Sequence, residues 1–98
     1  GGCRPVIIVQ NNTGNLYSPT TIIVPVTARK RKKALPTHIK VKGAGLPKKS
    51  IALLEQLRTI DKSRLREKIG EITRTSLNKI DKGLLISLGC FEDRRFKK

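Results

Sequence analysis

Among the 98 residues, the side chains able to do chemistry are nearly all cations: 22 Lys and Arg stand against 7 Asp and Glu, with one His and two Cys, for a net charge of +15. No stretch reads as a phosphate-cradling G-x-x-x-x-G-K-[ST] loop, a dinucleotide-binding glycine fingerprint or a G-x-S-x-G nucleophile elbow. Cys3 and Cys90 are far apart, and His38 is the sole histidine. No zinc site, and no other metal or cofactor, is therefore expected. What such a set can do is stabilise negative charge. Cleavage of an RNA phosphodiester is the leading reaction of that kind, because the substrate brings its own 2′-hydroxyl nucleophile. The protein then has four tasks: hold sugar and phosphate in line, take a proton from the 2′-hydroxyl, return one to the leaving 5′-oxygen, and neutralise the phosphorane between them.

One cation stands in a defined place. Arg4, in Gly1-Gly2-Cys3-Arg4-Pro5, directly precedes an apolar run, where the backbone fixes its direction and a planar guanidinium can grip two phosphate oxygens at once. Composition alone does not separate it from the other cations, and on that ground a plain surface Arg at a strand end is the favoured reading. The charge as a whole makes nucleic acid the default partner, against the plainer reading of a surface tuned for solubility. No run approaches the ~20 apolar residues of a membrane-spanning helix. The thiols are expected to be free in a reducing cytoplasm, with a lone Cys3–Cys90 disulfide left open.

The elements that must position these groups are short. Pro5 to Gln10 is a β-branched run suited to a buried strand, and Asn11 to Asn15 has turn chemistry, with Ser18-Pro19 a second break. Thr20 to Thr27 reads as a second strand, with Pro25 placing it at an edge or a bulge. Arg29 to Lys33, five consecutive cations, belongs on a loop. Leu35 to Val41 resumes period-two alternation, putting Thr37, Ile39 and Val41 on one face of a third strand. After a turn at Gly43 to Pro47, the run from Ser50 to Leu57 reads as a fourth strand. Glu55 and Gln56 are costly there unless paired, facing a cleft or exposed at an open sheet face. Asp61 should cap a short helical turn. The longest helix runs from its cap at Thr73 to about Leu88, with Leu77, Ile80, Leu84 and Leu88 as one apolar stripe and Gly89 as its stop. Gly83 inside it should cost ~1 kcal/mol against Ala. The core must be aliphatic, since the chain has two Phe, one Tyr and no Trp or Met.

Several segments together carry a resemblance: Gly-Gly-Cys-Arg-Pro-Val-Ile-Ile-Val-Gln-Asn from Gly1, Tyr17 to Thr27, Leu35-Pro36-Thr37-His38, and Leu54-Glu55-Gln56-Leu57-Arg58-Thr59-Ile60-Asp61. In order and spacing they resemble the MazF/PemK family of toxin endoribonucleases. The resemblance runs from Gly1 to about Gly89, leaving 90–98 as a basic tail. It implies an α+β, mostly β fold, an SH3-like small β-barrel with a C-terminal helix. It further implies a cytoplasmic homodimer with a groove for single-stranded RNA, and an acidic MazE-like antitoxin protein as partner. Family members cut without a metal or cofactor, leaving a 2′,3′-cyclic phosphate and a 5′-hydroxyl. The family's catalytic Arg and Thr fall on Arg4 and Thr27. The segments that line the RNA groove fall on Leu35, Thr37, His38, Ser50, Glu55 and Gln56, for which plain strand packing is the competing reading.

Two departures matter. The family normally begins with a strand of the Arg-Gly-Asp-Val-Tyr type and a loop rich in Glu and Gln ahead of Gly-Gly. This chain opens on Gly1-Gly2 and holds no Met, so it is expected to lack its own start. A truly missing segment would remove a strand, expose an edge and take any acid or base on that loop with it. Where some relatives carry an Arg two residues before the acid, this chain has Leu53 before Glu55, so Glu55 is not assigned as a base. Two other readings compete. A non-catalytic basic nucleic-acid-binding barrel would explain the charge, but stacking modules usually present more aromatics than Tyr17, Phe91 and Phe96. A CcdB-type gyrase poison shares the barrel, but relies on a C-terminal Trp-Gly-Ile that this chain lacks.

Overall fold

The two β-branched runs pair with each other, but the first is shorter and less buried than expected: of Val6–Ile8 only Ile7 is buried, and Ile8 is 45% exposed. In a computed structural model, which describes residues 4–29 and 35–92, β1 (Val6–Ile8) lies antiparallel to β2 (Thr20–Thr27) in a register from Val6↔Pro25 to Ile8↔Ile23. Between them the expected turn is in fact a helix, α1 (Asn12–Tyr17). Thr, Gly and Asn are weak helix formers, so the element depends on its side-chain bonds. Asn11 Oδ1 accepts the Gly14 N–H at 2.8 Å. Asn15 Oδ1 accepts from Thr21 Oγ1 at 2.7 Å, its Nδ2 donates to the Gln10 carbonyl at 2.9 Å, and Lys62 Nζ donates to the Asn15 carbonyl.

Along its other edge β2 meets two consecutive strands, β4 (Ser50–Leu53) and β5 (Arg58–Asp61). The expected strand from Ser50 to Leu57 is therefore interrupted: Leu54–Gln56 forms a 3-10 turn, and the pairing resumes displaced, from Val26↔Ala52 on one side to Ile23↔Arg58 on the other. Pro25 is tolerated mid-sheet for the same reason. The Val26 N–H and the Ile22 carbonyl face β1, so position 25 faces the opposite edge, where β4 has ended and β5 has not begun. No ladder donor is lost there.

β3 (His38–Val41) pairs with β4 from His38↔Leu53 to Val41↔Ser50, giving the order β1-β2-β4-β3 with β5 beside β2. Pro36 and Thr37 form a turn, so the third strand is shorter than the alternation suggested. Asp61 does precede a 3-10 turn, Lys62–Arg64, but its side chain makes no capping bond. The result is the mostly β, α+β architecture expected, barrel-like but with the ladder open between β1 and β3 among the described residues.

The core is aliphatic: Ile7, Val24, Val26, Val41, Ala52 and Leu54 meet Ile80 of α2 (Arg74–Ser87). Thr73 caps that helix, its Oγ1 accepting the Ser76 N–H at 3.2 Å. The buried Ser76 Oγ accepts the Lys42 N–H at 2.8 Å, tying the helix start to the end of β3. The helix ends at Gly89, whose φ of 65° is the left-handed conformation that a C-terminal stop requires. Two details differ from the sequence reading. Leu88 is 49% exposed rather than packed, while Leu77 and Leu84 are half-buried beside the fully buried Ile80. Gly83 is buried, and a Cβ there would lie 2.5 Å from Leu54 Cδ1, so its place is set by close packing on the 3-10 turn. Among the described residues no helix is long and apolar enough to cross a membrane.

Candidate functional site

The β1–β2 register carries Arg4 to Thr27. The Val26 N–H donates to the Pro5 carbonyl at 3.1 Å, and continuing the Val6↔Pro25 pairing sets Arg4 abreast of Thr27 at the end of the sheet. Both line one open cavity of about 400 Å³ together with Pro5, Val26, Ala28, Arg29, Pro47 and Ser50. Arg4 and Arg29 are exposed, and among the described residues the ion pairs are His38–Glu55 and Lys68–Glu71, so neither guanidinium is neutralised by a carboxylate. Thr27 Oγ1 accepts the Arg29 N–H at 3.1 Å. Among the described residues nothing accepts its own proton, which a hydroxyl can donate while it accepts. The cavity wall thus offers cations and a hydroxyl donor, the groups suited to a phosphate and its transition state.

Ser50 shares that cavity wall but is only 2% exposed, and its Oγ donates to the Pro47 carbonyl at 2.6 Å. That bond holds the 43–47 turn against β4; the same turn brings Pro47 to the cavity.

A second group forms where the 3-10 turn after β4 meets the start of β3. The His38↔Leu53 pairing places them side by side. Glu55 Oε1 accepts from Thr37 Oγ1 at 2.9 Å, and Glu55 Oε2 lies 3.0 Å from His38 Nε2. His38 Nδ1 accepts the Leu35 N–H at 3.1 Å, so a neutral ring carries its proton on Nε2 and donates it to Glu55. Burial acts to raise the Glu55 pKa, but it is outweighed by the residue's backbone N–H and by His38 and Thr37. Their hydrogen bonds hold the carboxyl below its ordinary value. Of the two costs posed by the sequence, pairing resolves the one at Glu55. Gln56 is exposed on the same turn and Leu35 is exposed at the other end of the cluster.

The six positions expected to line a groove therefore divide. Leu35, Thr37, His38, Glu55 and Gln56 gather around the two turns, whereas Ser50 belongs with Arg4 and Thr27. Arg29 was read only as the first of a cation run; its place two residues beyond Thr27, in a sequence where Thr can turn the chain back through its hydroxyl, was the available signal. The rest of that run, 30–33, lies outside the described residues, as does Cys3, and Cys90 is an exposed free thiol. Among the described residues no group of His, Cys, Asp and Glu is placed to hold a metal ion.

Residues 1–88 match the family model described as PemK-like, MazF-like toxin of type II toxin-antitoxin system. The fold is similar to that of an endoribonuclease in complex with its cognate antitoxin from a mycobacterial species, at 28% identity and a TM-score of 0.79, covering 90% of this chain and 82% of that one. It is similar to MazF from Deinococcus radiodurans, at 27% identity and a TM-score of 0.74, covering 91% and 79%. The toxin MazF-mt6 of Mycobacterium tuberculosis shares the fold at 21% identity and a TM-score of 0.76, covering 92% and 88%.

Proposed function

The chain belongs to the PemK-like, MazF-like family of type II toxins, and from that premise we propose that it is a cytoplasmic endoribonuclease that cuts single-stranded RNA by attack of the RNA's own 2′-hydroxyl. The observation that carries this reading is the meeting of Arg4 and Thr27 on one cavity, whose described wall contains no carboxylate, imidazole or thiol. Arg4 grips two oxygens of the scissile phosphate and neutralises the charge that builds on the phosphorane. Thr27 donates its hydroxyl proton to the same phosphate. The 2′-oxygen bonds to phosphorus as its proton passes to solvent water, the P–O5′ bond breaks, and the leaving 5′-oxygen takes a proton from water in return. The products are a 2′,3′-cyclic phosphate and a 5′-hydroxyl. With a pKa above ~12, Arg4 is a poor ground-state base, so its part is electrostatic.

Leu35, Thr37, His38, Glu55 and Gln56 form the base-reading part of the groove. Unstacked bases are read there by edge hydrogen bonds and apolar contact, and the bonds from Thr37 and His38 hold the Glu55 carboxylate in one orientation for that task. Ser50 supports the phosphate end by fixing Pro47. Membership of the family also points to a homodimer. The mycobacterial relative is a complex with its cognate antitoxin. A net charge of +15 favours an acidic, partly disordered antitoxin segment that folds into the RNA groove and competes with substrate. The test is cleavage of single-stranded RNA by Arg4→Ala and Thr27→Ala. Each should lose roughly 10² to 10³ in rate, the worth of one oxyanion donor, with circular dichroism unchanged. Full activity in either variant would overturn the assignment.

A further inference from the structure

Thr27 and Arg29 act as a unit. The Arg29 N–H donates to Thr27 Oγ1 at 3.1 Å, a local turn in which a hydroxyl holds the chain two residues on. The turn sets the Arg29 side chain on the wall that already carries Arg4 and Thr27. Neither Arg4 nor Arg29 has a carboxylate partner among the described residues. Two uncompensated guanidiniums on one cavity repel each other until an anion lies between or beside them. A single phosphate does not need both, because one planar guanidinium already takes two of its oxygens and Thr27 supplies a further donor. The second charge is accounted for by a nucleotide step.

We propose that Arg29 is a second phosphate-binding residue of this cavity, gripping the RNA phosphate next to the one held by Arg4 and Thr27. The proposal rests on the reading of the cavity as the RNA-cutting site. It makes Arg29 distinct from the rest of the cation run: those residues act on the strand as a diffuse field, whereas Arg29 recognises one phosphate and so helps set which bond lies at Thr27. Its main-chain bond to Thr27 does not depend on the side chain, so Arg29→Gln leaves the hydroxyl where it is.

The experiment measures binding of the full-length protein to a short RNA made uncleavable by a 2′-deoxyribose at a cut site mapped on a long transcript. A neutral methylphosphonate replaces one phosphate at a time. On the fully charged strand, Arg29→Gln should bind roughly ten- to hundredfold more weakly, the worth of a hydrogen bond to a charged group, and Arg29→Lys should fall between. The salt slope should drop by about 0.7, one counterion on a single strand. With the methylphosphonate at one phosphate flanking the cut, wild type and Arg29→Gln should bind within about a factor of two, the mark of a pair that acts as one interaction. Equal sensitivity to Arg29→Gln at both flanking positions, or coupling only at the scissile phosphate, would overturn the proposal. Should no transcript be cut, the cleavage reading fails by itself. The same scan along a uridine tract of equal length would then decide for Arg29, with coupling to no single phosphate counting against it.

Discussion

Gly83→Ala puts a core contact and the candidate site on one lever. In an open helix this change adds about 1 kcal/mol, because Ala is the better helix former. Here the new Cβ would meet Leu54 Cδ1 at 2.5 Å, while Ile39 Cδ1 lies at 3.4 Å, an ordinary contact. Leu54 is 1% exposed and packed in the aliphatic core, so its methyl has no open space to take up. Overpacking of this kind costs about 1 to 3 kcal/mol, which leaves a net loss of roughly 0 to 2 kcal/mol after the helix gain. For a domain of this size a loss of 1 kcal/mol lowers Tm by about 4 to 8 °C. The displacement also has a direction: Leu54 begins the turn that carries Glu55 and Gln56, so the strain is delivered to the turn proposed to read bases. Calorimetry should show a lower Tm for Gly83→Ala, and RNA binding should weaken with it. A variant stabilised by about 1 kcal/mol, as an unobstructed helix glycine would give, refutes the packing argument.

Three further outcomes follow from single bonds and charges. Ser76→Ala removes the acceptor of the Lys42 N–H and should lower stability by about 0.5 to 1.5 kcal/mol, the net worth of one hydrogen bond; denaturant unfolding at unchanged m-value checks it. The Glu55 carboxyl is held below its ordinary pKa of 4.5 by its hydrogen bonds. Its stabilisation is therefore complete above that value and is lost as pH falls through the lowered folded value; Tm measured against pH should show that acid-side loss in the wild type and not in Glu55→Gln. Replacing Lys and Arg at 30–33 by Gln should lower RNA affinity and the salt slope on every sequence while leaving the single-turnover cleavage rate within about twofold.

The phosphate end of the site was legible through resemblance rather than through strand pairing. Arg4 and Thr27 were named by the family resemblance and not by the residues themselves; the two β-branched runs read as strands, but only the observed register sets Arg4 abreast of Thr27. Glu55 was legible as a problem, a carboxylate in an apolar run, but not as its solution. The bonds to Thr37 and His38 depend on the 3-10 turn that breaks the run, and nothing local in Ser50 to Leu57 announces where a strand yields to a turn. Pro25 pointed at that break from the opposite strand. The strand Arg58–Asp61 was missed because its pairing with Thr20–Ile23 is nonlocal. The helix Asn12–Tyr17 was missed because it is held by Asn15, Thr21 and Lys62 rather than by propensity. Gly83 read as a defect in a helix, since the partner that requires it, Leu54, lies far away in sequence.

On the proposed mechanism, Arg4 and Thr27 drive cleavage by the substrate's own 2′-hydroxyl. The most direct test is a single-turnover assay in EDTA on an all-RNA strand and its twin carrying one 2′-deoxyribose at the cut site. The mechanism predicts that the RNA is cut to a 2′,3′-cyclic phosphate and a 5′-hydroxyl, while the twin binds and survives. Equal cutting of both strands, or cutting that appears only with Mg²⁺, would contradict it.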